Sequence, residues 1–443
     1  MRVAIIGAGA AGLCSARHCR EIARVTDIVI FEQSSQLGGV WVYNEASSFD
    51  EPKTPNHSAV YRNMRVNLPK EIMAFPDFPF NEKLRSFVTH RHVLSYLHEY
   101  AKRFELMQNI RFKTKVLQVQ RDENNKWKIE TMSGDNGDTN IDYFDALFVC
   151  NGHYSVERIP EIDGYKTFTG RSMHSRAYAH PEPYAGLRIA CLGAGPSGLD
   201  ISLELSTVAS QVYLCHNKAR RNCPLPANLE QRALFLSFEG ADIVLVDGSR
   251  LSNIDLVIYC TGYEYQFPFF LNDGRSPPPV ELRNNRIYPL YKHIAHADYP
   301  TDLFFIGLCI LTVPFPFFDF QAQFACSMLS GRCKPPSRDR MMQWIEGDYR
   351  MKLVDMKLTP KHAHYIGPTQ WHFMSELAQE GNFENRLKPA VIQLYNHLET
   401  YRQHALMTYK NDNYEIIDDY TFKRKKCHAD KQECDRMLLQ PEM

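Results

Sequence analysis

The stretch that decides the fold is Val3-Ala-Ile-Ile-Gly7-Ala-Gly9-Ala-Ala-Gly12, at the start of the chain. Its apolar residues predict a buried β-strand, and the three glycines predict a tight turn into a helix. The same order recurs in Leu187-Arg-Ile-Ala-Cys-Leu-Gly193-Ala-Gly195-Pro-Ser-Gly198. A helical segment and a second apolar strand follow each stretch, so both predict βαβ units with parallel sheets.

Each glycine of such a turn has a separate physical role. The first permits the tight turn, the second lets the backbone approach a pyrophosphate, and the third lets helix and strand pack closely. The pyrophosphate binds at the helix N-terminus, where free N–H groups and the helix dipole favour negative charge. We call residues 7–12 the first cradle and residues 193–198 the second cradle. Two cradles predict two dinucleotides. A flavin with a nicotinamide is the simplest pair, because each carries out a half-reaction that the other can accept.

The two units differ in charge where their second strand ends. Glu32 stands there in the first unit, and its carboxylate suits a ribose diol. The second unit has no acid at this point and continues His216-Asn-Lys218-Ala-Arg220-Arg221. Basic side chains would bind a 2′-phosphate, which favours NADPH over NADH. A solvated basic loop is the alternative interpretation.

Composition is typical of a globular protein: 443 residues, 44% hydrophobic and 23% charged, with a formal net charge of zero. A neutral chain is an unfavourable partner for nucleic acid or an anionic membrane. The longest apolar run, residues 303–318, is too short to span a bilayer, so no transmembrane segment is expected. Cysteines in apolar segments favour a reducing compartment and a cytoplasmic location, although secretion after loss of a signal peptide stays open.

Hydrophobic periodicity predicts the other elements in outline. Helices are expected over residues 13–24, 92–104 and 199–208, with a mainly helical region over residues 338–401. Strands are expected over residues 28–32, 126–132, 141–150, 211–215, 255–260 and 303–307.

A longer motif stands just before the second cradle: Phe168-Thr-Gly170-Arg-Ser-Met-His174-Ser-Arg-Ala-Tyr178. It resembles the flavin-containing monooxygenases, because it matches their F-x-G-x-x-x-H-x-x-x-(F/Y) pattern at every fixed position. Further stretches are similar to the same family: Leu37-Gly38-Gly39-Val40-Trp41, Asn67-Leu68-Pro69-Lys70-Glu71, Asn151-Gly152-His153 and Cys260-Thr261-Gly262-Tyr263. The resemblance runs from Arg2 to about Phe324. Residues 67–80 and 315–324 resemble, more loosely, insect members of the alkaloid N-oxygenase type.

The resemblance implies an α/β fold with two Rossmann-like dinucleotide-binding domains, in which the NADPH-binding domain is inserted into the FAD-binding domain. The expected divisions are residues 1–165 and 265–425 for FAD, residues 166–264 for NADPH, and a charged tail over residues 426–443. The expected reaction uses FAD, NADPH and O2, and oxygenates a soft nitrogen or sulfur of a small-molecule amine or sulfide, such as a xenobiotic, through a C4a-hydroperoxyflavin. The hydrophobic tail of vertebrate members is absent. Peripheral association with the endoplasmic reticulum and a homo-oligomeric state stay open.

The resemblance also implies roles for individual residues. Asn67 corresponds to the family's active-site asparagine, which contacts flavin, NADP+ or peroxide. The residues expected to bind FAD are Gly7, Gly9, Ala10, Ala11, Gly12, Glu32, Gly39, Val40, Trp41, Asn67, Leu68, Val116 and Gln321. The residues expected to bind NADPH are Gly193, Gly195, Pro196, Ser197, Gly198, His216, Asn217 and Lys218. His174 and Tyr178 are open between a ligand contact and a structural role, and no metal site is expected.

Three alternatives remain at this point. A Baeyer–Villiger monooxygenase motif would continue with Trp and then Pro or Asp, whereas this chain has Tyr178-Ala179. An uncoupled NADPH oxidase that releases hydrogen peroxide would need the same cradles, and so would a non-catalytic scaffold.

The spacing of Cys14 and Cys19 is that of flavin disulfide reductases, but both residues fall inside the first predicted helix. Thiols there would point apart, so a redox disulfide is not expected.

Overall fold

The structure is a computed structural model that describes residues 1–43, 58–134, 137–270 and 278–426. The α-helices in these ranges are α1 (Ala10–Glu21), α2 (Lys70–Met73), α3 (His90–Arg103), α4 (Pro196–Leu205), α5 (Pro314–Leu329), α6 (Arg338–Val354), α7 (Gln370–Glu380) and α8 (Pro389–His404). The predicted charged tail lies outside the described residues except for Lys426.

The strands are mostly short. They are β1 (Arg2–Ile6), β2 (Asp27–Phe31), β3 (Ile110–Arg111), β4 (Thr114–Arg121), β5 (Trp127–Ser133), β6 (Asp138–Phe144), β7 (Ala146–Val149), β8 (Val156–Glu157), β9 (Arg171–His174), β10 (Arg188–Leu192), β11 (Gln211–Cys215), β12 (Leu229–Arg232), β13 (Phe235–Glu239), β14 (Asp242–Leu245), β15 (Arg250–Leu251), β16 (Leu256–Tyr259), β17 (Tyr263–Glu264), β18 (Glu281–Arg283), β19 (Arg286–Tyr288), β20 (Leu290–Tyr291), β21 (Ala295–His296), β22 (Tyr299–Phe305), β23 (Asn413–Ile416) and β24 (Phe422–Lys425).

The first βαβ unit forms the centre of a seven-stranded sheet with the order β20-β21-β22-β7-β1-β2-β3. β1 pairs in parallel with β2 on one side and with β7 on the other, and β22 pairs in parallel with β7. The central strands are buried on both faces, which explains their unbroken apolar sequences. One face packs on α1 and α5, and the other packs on the antiparallel sheet β4-β5-β6.

The second βαβ unit forms a five-stranded sheet with the order β12-β11-β10-β16-β9. All four pairs in this sheet are parallel. Its strands occupy the chain between β7 and β22 of the first sheet, so one dinucleotide-binding fold is inserted into the other. This arrangement confirms the predicted fold class. The division points at residues 165/166 and 264/265 stay predictions.

Two details of the predicted elements are wrong. Residues 141–150 are not one strand, because Asp145 separates β6 from β7 and its carboxylate accepts the Arg2 N–H at 2.6 Å. β6 therefore belongs to the antiparallel sheet, and only β7 enters the parallel one. The first helix of each unit also begins three residues earlier than predicted, directly after the second glycine of its cradle. In the part of the chain that the structure describes, no helix is long and apolar enough to cross a membrane.

Candidate functional site: two dinucleotide cradles and the residues between them

The first cradle is shaped by close backbone contacts. Gly7 has a φ of +103°, and its N–H donates to the Phe31 carbonyl at 2.8 Å. A Cβ on Gly7 would lie 2.5 Å from the Cys150 carbonyl oxygen, and a Cβ on Gly12 would lie 1.9 Å from the Gly7 carbonyl oxygen. No side chain can occupy either position, so both glycines are required by the turn itself.

The second cradle repeats this geometry. Gly193 has a φ of +111°, and its N–H donates to the Cys215 carbonyl at 2.8 Å. A Cβ on Gly193 would lie 2.5 Å from the Cys260 carbonyl oxygen, and a Cβ on Gly198 would lie 1.9 Å from the Gly193 carbonyl oxygen. In both turns, close backbone contacts therefore exclude a Cβ at the first and the third glycine.

The middle glycine of each cradle is under no such constraint. A Cβ on Gly195 would meet no atom within 4 Å, and one on Gly9 would make only ordinary contacts at 3.6 Å or more. Gly9 and Gly195 are also the N-caps of α1 and α4, and neither helix has a side-chain cap. The N-terminal turns therefore point unpaired N–H groups at open space. This is the space that a pyrophosphate needs, so both cradles fit a dinucleotide. Ala10 and Ala11 begin α1, whereas the exposed Pro196 and Ser197 begin α4.

A glycine pair closes over the first cradle. The Gly38 N–H donates to the Ala8 carbonyl at 3.0 Å, and the position of a Cβ on Gly39 lies 3.1 Å from the Gly9 Cα. Val40 and Trp41 follow in a short 3-10 turn, where Trp41 packs edge-on against Phe315 with ring centroids 6.2 Å apart. The structure thus brings Gly39 against the first cradle with Val40 and Trp41 next to it in sequence, and their contacts with FAD stay predictions.

Glu32 holds the backbone on which the cradle rests. One carboxylate oxygen accepts the Ala8 N–H at 2.9 Å, and the other accepts the Ser34 N–H at 2.8 Å. The Glu32 carbonyl accepts the Thr114 N–H at 2.8 Å, which places the start of β4, with Val116, beside the end of β2. Two acceptor sites are thus taken by backbone, and a carboxylate has further lone pairs for a ribose hydroxyl.

The ends of β11 and β12 form a basic groove beyond the second cradle. It has a volume of about 570 Å³ and is lined by Arg220, Arg221, Asn222, Glu230, Gln231 and Arg232. No motif in the sequence predicts a role for Arg232, because this residue stands far along the chain from the cradle. It ends β12, where it lies opposite Cys215 of β11.

Several groups around this groove have unmet hydrogen-bonding capacity. Arg232 Nε and His216 Nδ1 are buried and have no hydrogen-bond partner. Lys218 donates to the Ala194 carbonyl at 3.2 Å, and burial together with Arg221 and Arg402 lowers the pKa of its ammonium group. Asn217 is exposed beside them. Lys218, Arg220, Arg221 and Arg232 thus place four cations around the groove, and Arg232 also pairs with Glu230 at 3.0 Å. This excess of positive charge fits the 2′-phosphate of NADPH.

Asn67 carries an orphaned acceptor. Its Oδ1 is buried without a hydrogen-bond partner. The chain is held on both sides of it, because the Val66 N–H donates to the Val88 carbonyl at 3.0 Å and the Lys70 N–H donates to the Ser86 carbonyl at 2.6 Å. Leu68 packs against the core of the first unit. A buried unpaired acceptor costs about 1–3 kcal/mol, so this position suits a donor from a ligand or an ordered water.

Gln321 lies in α5 and is fully buried. Its Oε1 accepts the Gly307 N–H at 3.0 Å, and its Nε2 donates to Cys309 Sγ at 3.7 Å. It therefore fixes the turn that follows β22, at the sheet edge where Gly7 and Cys150 also lie. Its direct contact with FAD stays a prediction.

The two ambiguous motif residues make protein contacts. His174 Nε2 lies 3.0 Å from the Gly262 carbonyl, and its Nδ1 accepts the Arg176 N–H at 3.2 Å. The ring therefore donates through Nε2 and ties the motif to the strand that returns to the first unit. The Tyr178 hydroxyl donates to Glu204 Oε2 at 2.7 Å. Both side chains thus have structural roles.

A buried cluster lies between α1 and α5. His18 Nε2 and Asp319 Oδ1 are 2.6 Å apart, and Cys14 Sγ lies 3.7 Å from the same oxygen. Burial raises the pKa of the Cys14 thiol well above its usual value, so this cysteine is inert. Cys14 and Cys19 are not bonded to each other, because Cys19 instead faces Cys326 across the helix pair at 3.7 Å.

A family model described as flavin-binding monooxygenase-like matches residues 1–221 and 219–395. The flavin-containing monooxygenase FMO GS-OX3 of Arabidopsis thaliana is 32% identical over 96% of this chain and 94% of its own length. FMO GS-OX-like 4 of the same plant is 35% identical over 85% of this chain and 86% of its own.

Among solved structures, S-allyl-L-cysteine S-oxygenase from Allium sativum superposes with a TM-score of 0.85 at 29% identity, covering 99% of this chain and 97% of that one. Tmm from Pelagibacter sp. strain HTCC7211 superposes with a TM-score of 0.79 at 27% identity, covering 97% of each chain.

Proposed function

The chain belongs to the flavin-binding monooxygenase-like family, and we propose that it oxygenates a soft nitrogen or sulfur atom of a small molecule. As a flavin-containing monooxygenase it binds FAD and uses NADPH and O2. A relative that covers nearly the whole chain is named an S-oxygenase, which supports sulfur as the first atom to test. The likeness to insect alkaloid N-oxygenases, the compartment and the oligomeric state stay predictions.

The observation that carries the proposal is the orphaned Oδ1 of Asn67. A buried acceptor of this kind is normally satisfied by a donor from a ligand or an ordered water. A side-chain amide offers that acceptor together with an NH₂ group, so it can hold two polar groups of different kinds at one place. We assign Asn67 to the position where flavin, nicotinamide and activated oxygen meet.

The other residues bind and orient the cofactors. The N-termini of α1 and α4 bind the two pyrophosphates, Glu32 binds a ribose of FAD, and the groove around Arg232 binds the 2′-phosphate of NADPH. Bound FAD, once reduced by NADPH, supplies the activation of O2. The protein's part is then to exclude water, to keep protons from the activated oxygen, and to admit a nucleophile.

The experiment is the variant Asn67→Asp, which nearly preserves size but replaces the amide with a negative charge. We expect it to fold and bind FAD, because the Val66 and Lys70 N–H groups still anchor the chain on both sides. It should still consume NADPH but should release hydrogen peroxide instead of oxygenated product, because the charge disfavours anionic oxygen species nearby. The measurements are NADPH consumed, peroxide released and sulfoxide or N-oxide formed.

Asn124→Asp is the matched control, since it adds the same charge in an exposed turn. It should keep the wild-type ratio of product to NADPH. If Asn67→Asp also keeps that ratio, Asn67 is only a turn residue and its assignment is wrong. If the wild-type enzyme releases hydrogen peroxide and forms no oxygenated product with any amine or sulfide in a test panel, the NADPH oxidase alternative is favoured instead.

A further inference from the structure

Six polar side chains outside the cradles join α4 to the segment that leads to Asn67. We call them the α4 clamp; they are Tyr61, Asn63, Tyr178, Asp200, Glu204 and Lys410. Asp200 and Glu204 are four residues apart on α4 and so share one face of the helix whose N-terminus forms the second cradle.

Asp200 receives two donors from different parts of the chain. The Tyr61 hydroxyl donates to its Oδ2 at 3.3 Å, and the Lys410 ammonium donates to the same oxygen at 2.6 Å. Lys410 also donates to the Arg65 carbonyl at 3.2 Å, while the Arg65 guanidinium donates to the Lys410 carbonyl. One ammonium group therefore ties the carboxylate on α4 to the backbone two residues before Asn67.

Glu204 makes a second attachment one turn further along α4. Asn63 Nδ2 donates to its Oε1 at 2.7 Å, and the Tyr178 hydroxyl donates to its Oε2 at 2.7 Å. The Tyr61 ring packs edge-on against the Tyr178 ring with centroids 5.5 Å apart. Residues 61–63 are thus fastened to the second dinucleotide-binding unit.

The chain changes units within a few residues of this attachment. Tyr61 belongs to the hydrophobic core of the second unit, whereas Val66 belongs to the core of the first. Asn67 is the next residue. Its distance from the second cradle is therefore set by the short span between the clamp and Val66.

We propose that Asp200 is a positioning residue for the oxygenation step. By binding Tyr61 and Lys410, it fixes the position of Asn67 relative to the nicotinamide nucleotide at the N-terminus of α4. The proposal rests on the proposed function. Asp200 does not have to touch a cofactor, so it should matter little for flavin reduction and much for the fate of the activated oxygen.

The test compares Asp200→Asn with the wild-type holoenzyme. We expect full FAD content and a rate of anaerobic flavin reduction by NADPH that is nearly unchanged. The fraction of NADPH lost as peroxide, with a sulfide present, should rise by about three- to tenfold, because small displacements of reacting groups strongly slow a positioned step. A merely structural role would instead lower reduction and product formation together.

Three further variants complete the design. Asp200→Asn leaves Lys410 without its carboxylate, so the double variant Asp200→Asn/Lys410→Met removes both charges and carries the test if the single variant does not fold. Tyr61→Phe keeps the ring and removes only the hydroxyl, and should give a smaller rise in peroxide. Asp255→Asn is the control, because Asp255 accepts the Arg188 N–H at 2.8 Å within the second unit and does not belong to the clamp.

Unchanged coupling in Asp200→Asn, or in the double variant, overturns the positioning role and leaves the oxygenase activity intact. A rise in peroxide of the same size in Asp255→Asn overturns it as well. A wild type that forms no oxygenated product overturns both proposals. The two failures are therefore distinguishable.

Discussion

The two cradles have the same turn and different surroundings. In the first, the middle carbonyl, that of Ala8, accepts the Gly38 N–H at 3.0 Å. In the second, the middle carbonyl, that of Ala194, accepts the Lys218 ammonium at 3.2 Å. A neutral glycine pair and an acid thus lie beside one site, whereas Lys218 and a groove with three arginines and Glu230 lie beside the other.

This difference teaches that the glycine signature and the choice of cofactor are set by separate physical causes. The first and third glycines are fixed by backbone atoms that a Cβ would meet at 2.5 and 1.9 Å in both units. Those contacts carry no information about the ligand beyond its pyrophosphate. The residue after the second strand differs in charge, since Glu32 follows β2 whereas His216 and the basic run up to Arg221 follow β11. We predict that this difference, together with the groove at Arg232, distinguishes one dinucleotide from the other.

The largest expected effect comes from the third glycines. Gly12→Ala and Gly198→Ala should each lower the free energy of unfolding by about 3 kcal/mol or more, because the added methyl meets a backbone carbonyl that cannot move aside. Thermal and denaturant unfolding measure this. Gly347→Ala is the control, since it lies in α6 with no atom within 4 Å of its Cβ position and should stabilise the helix slightly. Equal stability of all three variants would refute the steric account.

The middle glycines should separate the cofactors. Gly195→Val should stay yellow but bind NADPH about a hundredfold more weakly. No protein atom lies within 4 Å of its Cβ position, so the side chain would fill the pyrophosphate space and remove about 3 kcal/mol of hydrogen bonding. Gly9→Val should lose FAD. Flavin absorbance and the KM for NADPH are the measurements, with the exposed Gly347→Val as control. Normal FAD content in soluble Gly9→Val would contradict the assignment of the first cradle.

Arg232→Ala tests the basic side of the comparison. Loss of one charge-assisted contact should weaken NADPH by about ten- to a hundredfold and leave NADH nearly unchanged. Steady-state kinetics with both nucleotides measure the selectivity. The control is Arg250→Ala, which removes an exposed arginine bound to Glu239 in the same unit. If the affinities for NADPH and NADH fell equally, Arg232 would not bind the 2′-phosphate.

Glu32→Gln tests the acidic side and should have the smallest effect. The amide keeps one acceptor for the Ala8 and Ser34 N–H groups but sets its own NH₂ against the other. We expect FAD to bind about tenfold more weakly, as the loss of one hydrogen bond to a charged group predicts. FAD titration of the apoprotein measures this, with the exposed Glu123→Gln as control. An unchanged affinity would show that the carboxylate serves only the backbone.

Much of this comparison could be predicted from the sequence, because local patterns encode it. The strand, glycine turn and helix of each unit are contiguous, so period and spacing are enough to predict both cradles and the parallel sheets. Glu32 was recognised because it ends the next strand along the chain. The boundary errors at residues 13 and 199 have one cause: each helix begins directly after the second glycine of its cradle, so the third glycine already lies inside the helix.

The remainder depends on contacts between distant residues. Arg232 reaches the basic groove only because β12 pairs with β11, and nothing local to residues 229–232 predicts that pairing. The α4 clamp unites residues as far apart as Tyr61 and Lys410, which no spacing rule connects. His174 was ambiguous because its partner, the Gly262 carbonyl, lies 88 residues away.

The central claim is that one FAD and one NADPH, held at the two cradles, deliver one oxygen atom of O2 to a nitrogen or sulfur atom. The most direct measurement is wild-type turnover with a methyl sulfide under ¹⁸O₂, with product mass and NADPH followed together. The account predicts a sulfoxide that carries a single ¹⁸O and is formed in nearly equal amount to the NADPH consumed. The account would be contradicted if all the NADPH were consumed while the sulfide stayed unreacted and hydrogen peroxide was released.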